Sequence, residues 1–126
     1  MIIDVRSLHQ RQAKGEAFLL IDVREFADWQ RATLPGAQHC NVYDYFIEDC
    51  SEAGLAVMAA EAATALQPIF TAYANATPVF FEQQVGMRSP RGAWFAWLLK
   101  RDDALILDGG VDAWVAAGYE LSPGLG

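Results

Sequence analysis

The chain reads as an α/β domain, a central parallel β-sheet of about five strands with helices on both faces. Three observations carry that reading. The runs Ala17-Phe18-Leu19-Leu20-Ile21-Asp22-Val23, Val79-Phe80-Phe81 and Ala104-Leu105-Ile106-Leu107 are apolar without alternation, the pattern of strands buried on both faces. Segments with helical spacing or composition separate them. The 126 residues, 53% hydrophobic, suffice for one core and are too few for two. Residues 1–121 are read as a single domain and 122–126 as a tail or the start of a linker.

Each element follows from local chemistry. Ser7 can cap a short helix, Leu8 to Lys14, that Gly15 ends. The first apolar run closes on Asp22, and Arg24 to Arg31 is amphipathic, with Phe26 and Trp29 on one side. Leu34-Pro35-Gly36-Ala37 is a turn, and Gln38 to Val42 a second short strand. Tyr43 to Ser51 is aromatic-rich and reads as a loop or helical turn. Leu55 to Tyr73 is rich in alanine and other helix formers, with Pro68 expected to kink or end the helix. Val79-Phe80-Phe81 is the next strand. Ser89 and Pro90 form a cap and first-turn pair opening a helix through Lys100, with Trp94, Phe95 and Trp97 on its apolar face. Residues 104–107 form another strand, and Asp108-Gly109-Gly110 turns it into a last helix, Val111 to Ala117, ended by Gly118.

Composition excludes several functions. Sixteen acidic against nine basic residues give a net charge of −7, which opposes a nucleic-acid face and an anionic membrane surface. No uninterrupted apolar run is expected to cross a bilayer, and the N-terminus has no signal-peptide pattern. Two cysteines, Cys40 and Cys50, make no disulfide framework, so reduced thiols in a cytoplasmic protein are expected. With His9 and His39 they show no metal-ligand spacing; neither metal nor cofactor is expected. In parallel sheets, sites lie beyond the carboxyl ends of strands, which points to Asp22-Val23-Arg24 and to the segment from Glu82 to Arg88.

Those residues carry a resemblance. Asp22-Val23-Arg24-Glu25, Asp28-Trp29 and Leu34-Pro35-Gly36-Ala37 resemble the rhodanese signature, with Ala32-Thr33 where that family usually has Gly-His. Gly86-Met87-Arg88-Ser89 resembles the second half of the rhodanese active-site loop. Leu107-Asp108-Gly109-Gly110, Ala113-Trp114 and Ala117-Gly118 resemble its closing motif. The resemblance implies sulfur transfer through a loop cysteine five residues before the loop arginine; here that position is Gln83. A longer loop, as in related phosphatases, gives Glu82 instead. Neither is a thiol, and the chemistry needs a thiolate to carry sulfur as a persulfide. No catalytic residue is therefore assigned. The active-site-like loop is Glu82, Gln83, Gln84, Val85, Gly86, Met87, Arg88 and Ser89, supported by Asp22, Arg24 and Arg91.

A second similarity refines the first. Val79-Phe80-Phe81-Glu82 followed by Ser89-Pro90-Arg91-Gly92-Ala93-Trp94-Phe95 resembles the N-terminal half of tandem two-domain sulfurtransferases, which carries an acidic residue in place of the cysteine. The implied role is structural. The expectation is a catalytically silent rhodanese-like domain with a structural, regulatory or partner-binding role. The alternatives are an active thiosulfate or mercaptopyruvate sulfurtransferase, with the thiol on an unusual cysteine or on another half, and an oxyanion-binding module. The partners left open are a second rhodanese domain, another copy of this chain and a small oxyanion bound by Arg88 and loop amides. Asp22 and Arg24 are expected to tie the strand end to neighbouring loops; Glu82 reads first as an acidic strand-end residue that replaced the cysteine, the alternatives being a relic and an acceptor that braces the loop. Cys40 reads as a small buried hydrophobe, and the acidic setting of Cys50 argues against its being a nucleophile.

Overall fold

The computed structural model describes residues 1–42, 51–84 and 86–124. The first strand, β1, is Ile2–Ile3, followed by α1 (Val5–Ala13), β2 (Phe18–Asp22) and α2 (Phe26–Arg31). Next come β3 (Gln38–His39), α3 (Glu52–Ala72), β4 (Thr77–Phe81), α4 (Arg88–Leu98), β5 (Leu105–Leu107) and α5 (Gly110–Ala116). The five strands form one sheet in the order β1-β5-β4-β2-β3, and every neighbouring pair is parallel.

The uninterrupted apolar runs are explained by two cores, one on each face. Leu19, Ile21 and Phe80 pack with Met58, Ala62, Leu66 and Phe70 of α3 and with Phe95 of α4. Their neighbours Leu20, Val79 and Phe81 point the other way, onto Val5 and Leu8 of α1 and Val111 and Trp114 of α5. Period-two alternation sends successive side chains to opposite faces, so a strand covered on both sides has no polar position to spare.

Several local readings are corrected. Ile2–Ile3, which the sequence left outside any strand, is an edge strand because Met1 and Ile3 accept from Ile106 and Asp108. The first helix begins at Val5, capped by Asp4 rather than Ser7; the Asp4 carboxylate accepts from the Ser7 amide at 2.7 Å. Asp4 captures that amide because its extended backbone lies one turn below it. Ser51 caps α3, so that helix starts before Leu55. Pro68 lies inside α3 without ending it. Pro68 and Thr64 both face solvent, where the carbonyl released by the missing N–H can meet water, while Leu66 and Phe70 carry the buried stripe past it. This 21-residue helix is long and apolar enough to cross a membrane, contrary to expectation, but its stripe is spent on the sheet. Trp97, read with Trp94 and Phe95 on the apolar face of its helix, is 61% exposed. The readings on 43–50, including Cys50, lie outside the described residues.

Within the segment read as a tail or linker start, Ser122 to Gly124 runs back along α2. Thr33 and Ser122 exchange backbone hydrogen bonds of 2.8 and 2.9 Å, and the Gly124 amide donates to the Trp29 carbonyl.

Candidate functional site

The register places the two candidate strand ends side by side. Asp22 at the end of β2 pairs with Phe81 at the end of β4, and the Val23 amide donates to the Phe81 carbonyl. The chain then leaves β2 as Val23-Arg24 and β4 as Glu82-Gln83-Gln84.

Glu82 is held at both ends. It is 9% exposed, and its carboxylate accepts from the Ser89 amide at 2.7 Å. Ser89 lies in the first turn of α4, where N–H groups have no partner within the helix. The helix opens at Arg88, so Ser89 is not its cap as expected; Met87 holds that position with no side-chain hydrogen bond. The capping group is a carboxylate from seven residues earlier, delivered by the strand end. Pro90, next in the turn, has no N–H to satisfy. Gly86 makes room for the arrangement: a Cβ there would stand 2.6 Å from Glu82 Oε1. The Glu82 main-chain carbonyl accepts from the Val111 amide at 2.9 Å, and that of Gln83 from Asp112 at 3.0 Å. Gly110, at φ +57°, permits this approach, since a Cβ there would meet the Glu82 carbonyl oxygen at 2.0 Å. The start of α5 thus grips the loop's backbone while the start of α4 grips its carboxylate.

Gln83 turns outward. Its side-chain Oε1 accepts from Arg24 Nη1 at 2.8 Å, and its side-chain Nε2 donates to Asp112 Oδ1 at 2.5 Å. Gln84 donates to the other Asp112 oxygen at 2.7 Å. These two amides, Gln84 first, hold the Asp112 carboxyl below its usual range. Behind them, the fully buried Asp22 accepts from the Arg24 amide, Arg24 Nε and Nη2, and the Thr33 hydroxyl. Arg24 Nη2 also donates to the Ala32 carbonyl at 2.6 Å. Asp22 and Arg24 therefore do tie the strand end to its loops, and Arg24 reaches the loop as well.

Arg88 reaches sideways, donating to the Val23 carbonyl at 3.0 Å and Asn41 Oδ1 at 2.9 Å, with Glu25 3.8 Å away. Arg91 leans over the Phe95 ring and towards the Met58 sulfur. Cys40 is buried among Leu19, Ile21 and Val23. Val85 lies outside the described residues. A cleft of about 260 Å³ opens above the site, lined by Arg24, Glu25, Asp28, Glu82, Gln83 and Arg88. Three carboxylates and two guanidinium groups line it. Among the described residues no group of three or more metal-ligating side chains converges.

Thr33, Asn41, Gln84 as a donor and Asp112 were missed as members of this network. The signal for Thr33 was the departure at Ala32-Thr33: its hydroxyl serves Asp22, and the Ala32 carbonyl serves Arg24. Asp112 and Asn41 carry no local signal, because their partners lie 28 or more residues away.

A doubly covered parallel sheet with this loop between β4 and α4 defines a class of small α/β domain. A family model for the rhodanese-like domain matches residues 2–117, and the chain belongs to that family. Solved structures share the fold. A Bacillus halodurans protein superimposes with a TM-score of 0.73 at 14% identity, over 97% of this chain and 76% of that one. The rhodanese-like domain of an Anabaena protein gives 0.68 at 18% identity, over 98% and 79%. Thiosulfate sulfurtransferase from Pseudomonas aeruginosa gives 0.64 at 12% identity, over 98% of this chain but 20% of that protein. No curated protein sequence matches this chain.

Proposed function

We propose that this chain is a catalytically silent rhodanese-like domain, acting in sulfur metabolism through a structural, regulatory or partner-binding role in the cytoplasm. The carrying observation is the Glu82 carboxylate on the Ser89 amide, in a loop where the family's chemistry needs a thiolate. On this reading Glu82 takes the nucleophile's position, Gln83 lies outside it, and 84 and 86–89 frame the loop with Asp22, Arg24 and Arg91 in support. Exposed Trp97 supports contact with another protein or domain, a second rhodanese domain or a second copy being the candidates.

A carboxylate is a poor nucleophile towards sulfane sulfur, and its charge opposes thiosulfate. The second reading, a sulfurtransferase whose thiol comes from another domain, is favoured by the fold shared with a thiosulfate sulfurtransferase of which this chain spans a fifth. A cyanide–thiosulfate assay on the purified chain tests the first. No turnover and no persulfide on Cys40 or Cys50 by mass spectrometry is expected. Turnover that survives replacement of both cysteines would sink it.

A further inference from the structure

We propose that Glu82 is the loop's resident ligand, an intramolecular anion that holds the position a free oxyanion would take and so keeps the loop closed to sulfate, thiosulfate and phosphate. The proposal deepens the reading of a silent loop and rests on it. Silence would then have two layers: a missing thiol and an occupied cradle.

Three independent features converge on this. Glu82 is nine-tenths buried, so its carboxylate gives up hydration that a matched partner must replace. The partner is a first-turn amide of an 11-residue helix, a donor suited to anions by its free N–H and the helix dipole. The space beside Oε1 is kept by the missing side chain of Gly86. The main-chain grip of Val111 on the Glu82 carbonyl then fixes where the side chain starts, so the carboxylate is presented to Ser89 at little further entropic cost. A tethered anion at this distance competes with any dissolved one at a high effective concentration. Arg88, the cation that would help an external anion, is engaged with Val23 and Asn41 instead.

The test is anion titration of the whole chain at constant ionic strength, set with chloride, followed by isothermal calorimetry and by the Ser89 amide resonance. Sodium sulfate and sodium thiosulfate are the probes, and wild type, Glu82→Gln and Glu82→Ala are compared. In wild type neither probe moves Ser89. Glu82→Ala shifts the Ser89 amide proton upfield, and sulfate returns it downfield with a midpoint at least about tenfold below the highest concentration that leaves wild type unmoved. Sulfate binding to wild type as tightly as to Glu82→Ala would overturn the proposal, as would a folded Glu82→Ala protein whose Ser89 ignores both anions. If that variant does not fold, Glu82→Gln decides. It keeps the shape but not the charge, so an unmoved Ser89 amide proton would refute the carboxylate as its ligand. The readout is anion affinity rather than sulfur transfer, so turnover by wild type would overturn the silent reading while leaving this result to stand or fall separately.

Discussion

The Glu82 carboxylate accepts a 2.7 Å hydrogen bond from the backbone amide of Ser89, seven residues further along the chain. One side chain thereby closes the loop between β4 and α4 and caps the helix that follows. Met87, at the formal cap position, offers no side-chain acceptor.

The Gly86 position tests that closure. Gly86→Ala would push a methyl to within 2.6 Å of Glu82 Oε1, so the carboxylate must retreat from Ser89. The substitution should cost about 1–2 kcal/mol in wild type and much less in a Glu82→Ala background, because the capping bond is then already gone. Urea denaturation of the four proteins of the cycle measures the coupling; strict additivity would contradict the contact.

A thiol placed at each of the two candidate positions should behave differently. In Glu82→Cys the thiolate lies beside the first turn of α4, attacks the sulfane sulfur of thiosulfate and releases sulfite. In Gln83→Cys it lies outside, facing Arg24 and Asp112. Mass spectrometry after thiosulfate treatment should show the one-sulfur gain on the Glu82→Cys protein at least roughly tenfold faster. Equal rates would remove the distinction between the positions.

Gly110 admits no side chain. Its φ of +57° is unfavourable to other residues, and a Cβ would overlap the Glu82 carbonyl oxygen, a backbone atom that cannot swing aside. Gly110→Ala should lower unfolding free energy by roughly 2–4 kcal/mol. A thermal midpoint within a degree or two of wild type would show that α5 does not grip the loop as described.

Asp22→Asn removes the charge that compensates buried Arg24 while keeping the shape. The ion pair is 2.8 Å long and both side chains are buried, so a loss of about 3–5 kcal/mol is expected by chemical denaturation. A loss under roughly 1 kcal/mol would mean that Arg24 finds enough compensation in the Ala32 carbonyl and Gln83.

Asp112 contributes a pH dependence through its loop contacts. Its folded-state pKa lies below the ordinary 3.8, first through Gln84 and then through Gln83. A depressed carboxyl contributes stability above its unfolded value and loses it as pH falls through the folded one. The Gln84→Ala variant should therefore titrate Asp112 closer to 3.8, and its stability deficit should fade on acidification below that value. Carbon-detected NMR of the Asp112 carboxyl checks the direction; an unchanged midpoint would refute the Gln84 contact.

Much of the fold was legible because burial on two faces leaves a local mark. The runs 17–23, 79–81 and 104–107 have no polar alternation, and that absence locates β2, β4 and β5. Ile2–Ile3 was not legible, since two residues at a sheet edge have no pattern of their own and become a strand only by pairing with β5. Helix starts were misplaced where the capping oxygen lay elsewhere than the nearest serine: Asp4 outcompetes Ser7, and Glu82 serves the turn that Ser89 and Pro90 were expected to open.

By itself the sequence determined the α/β class, the loop after β4 and the lack of a thiol there, because these depend on residue type and short-range order. Tertiary structure alone decided which of the Glu82 and Gln83 side chains turns towards the start of α4. That depends on where β4 ends against β2 and how α4 and α5 approach it. Parallel pairing of Phe81 with Asp22 leaves Glu82 as the first residue beyond the sheet, beneath the start of α4. The next residue then points outward, between Arg24 and Asp112. Contacts between residues so far apart in the chain have no local signature, because the free energy that selects them is gained only when the sheet and its helices have packed together.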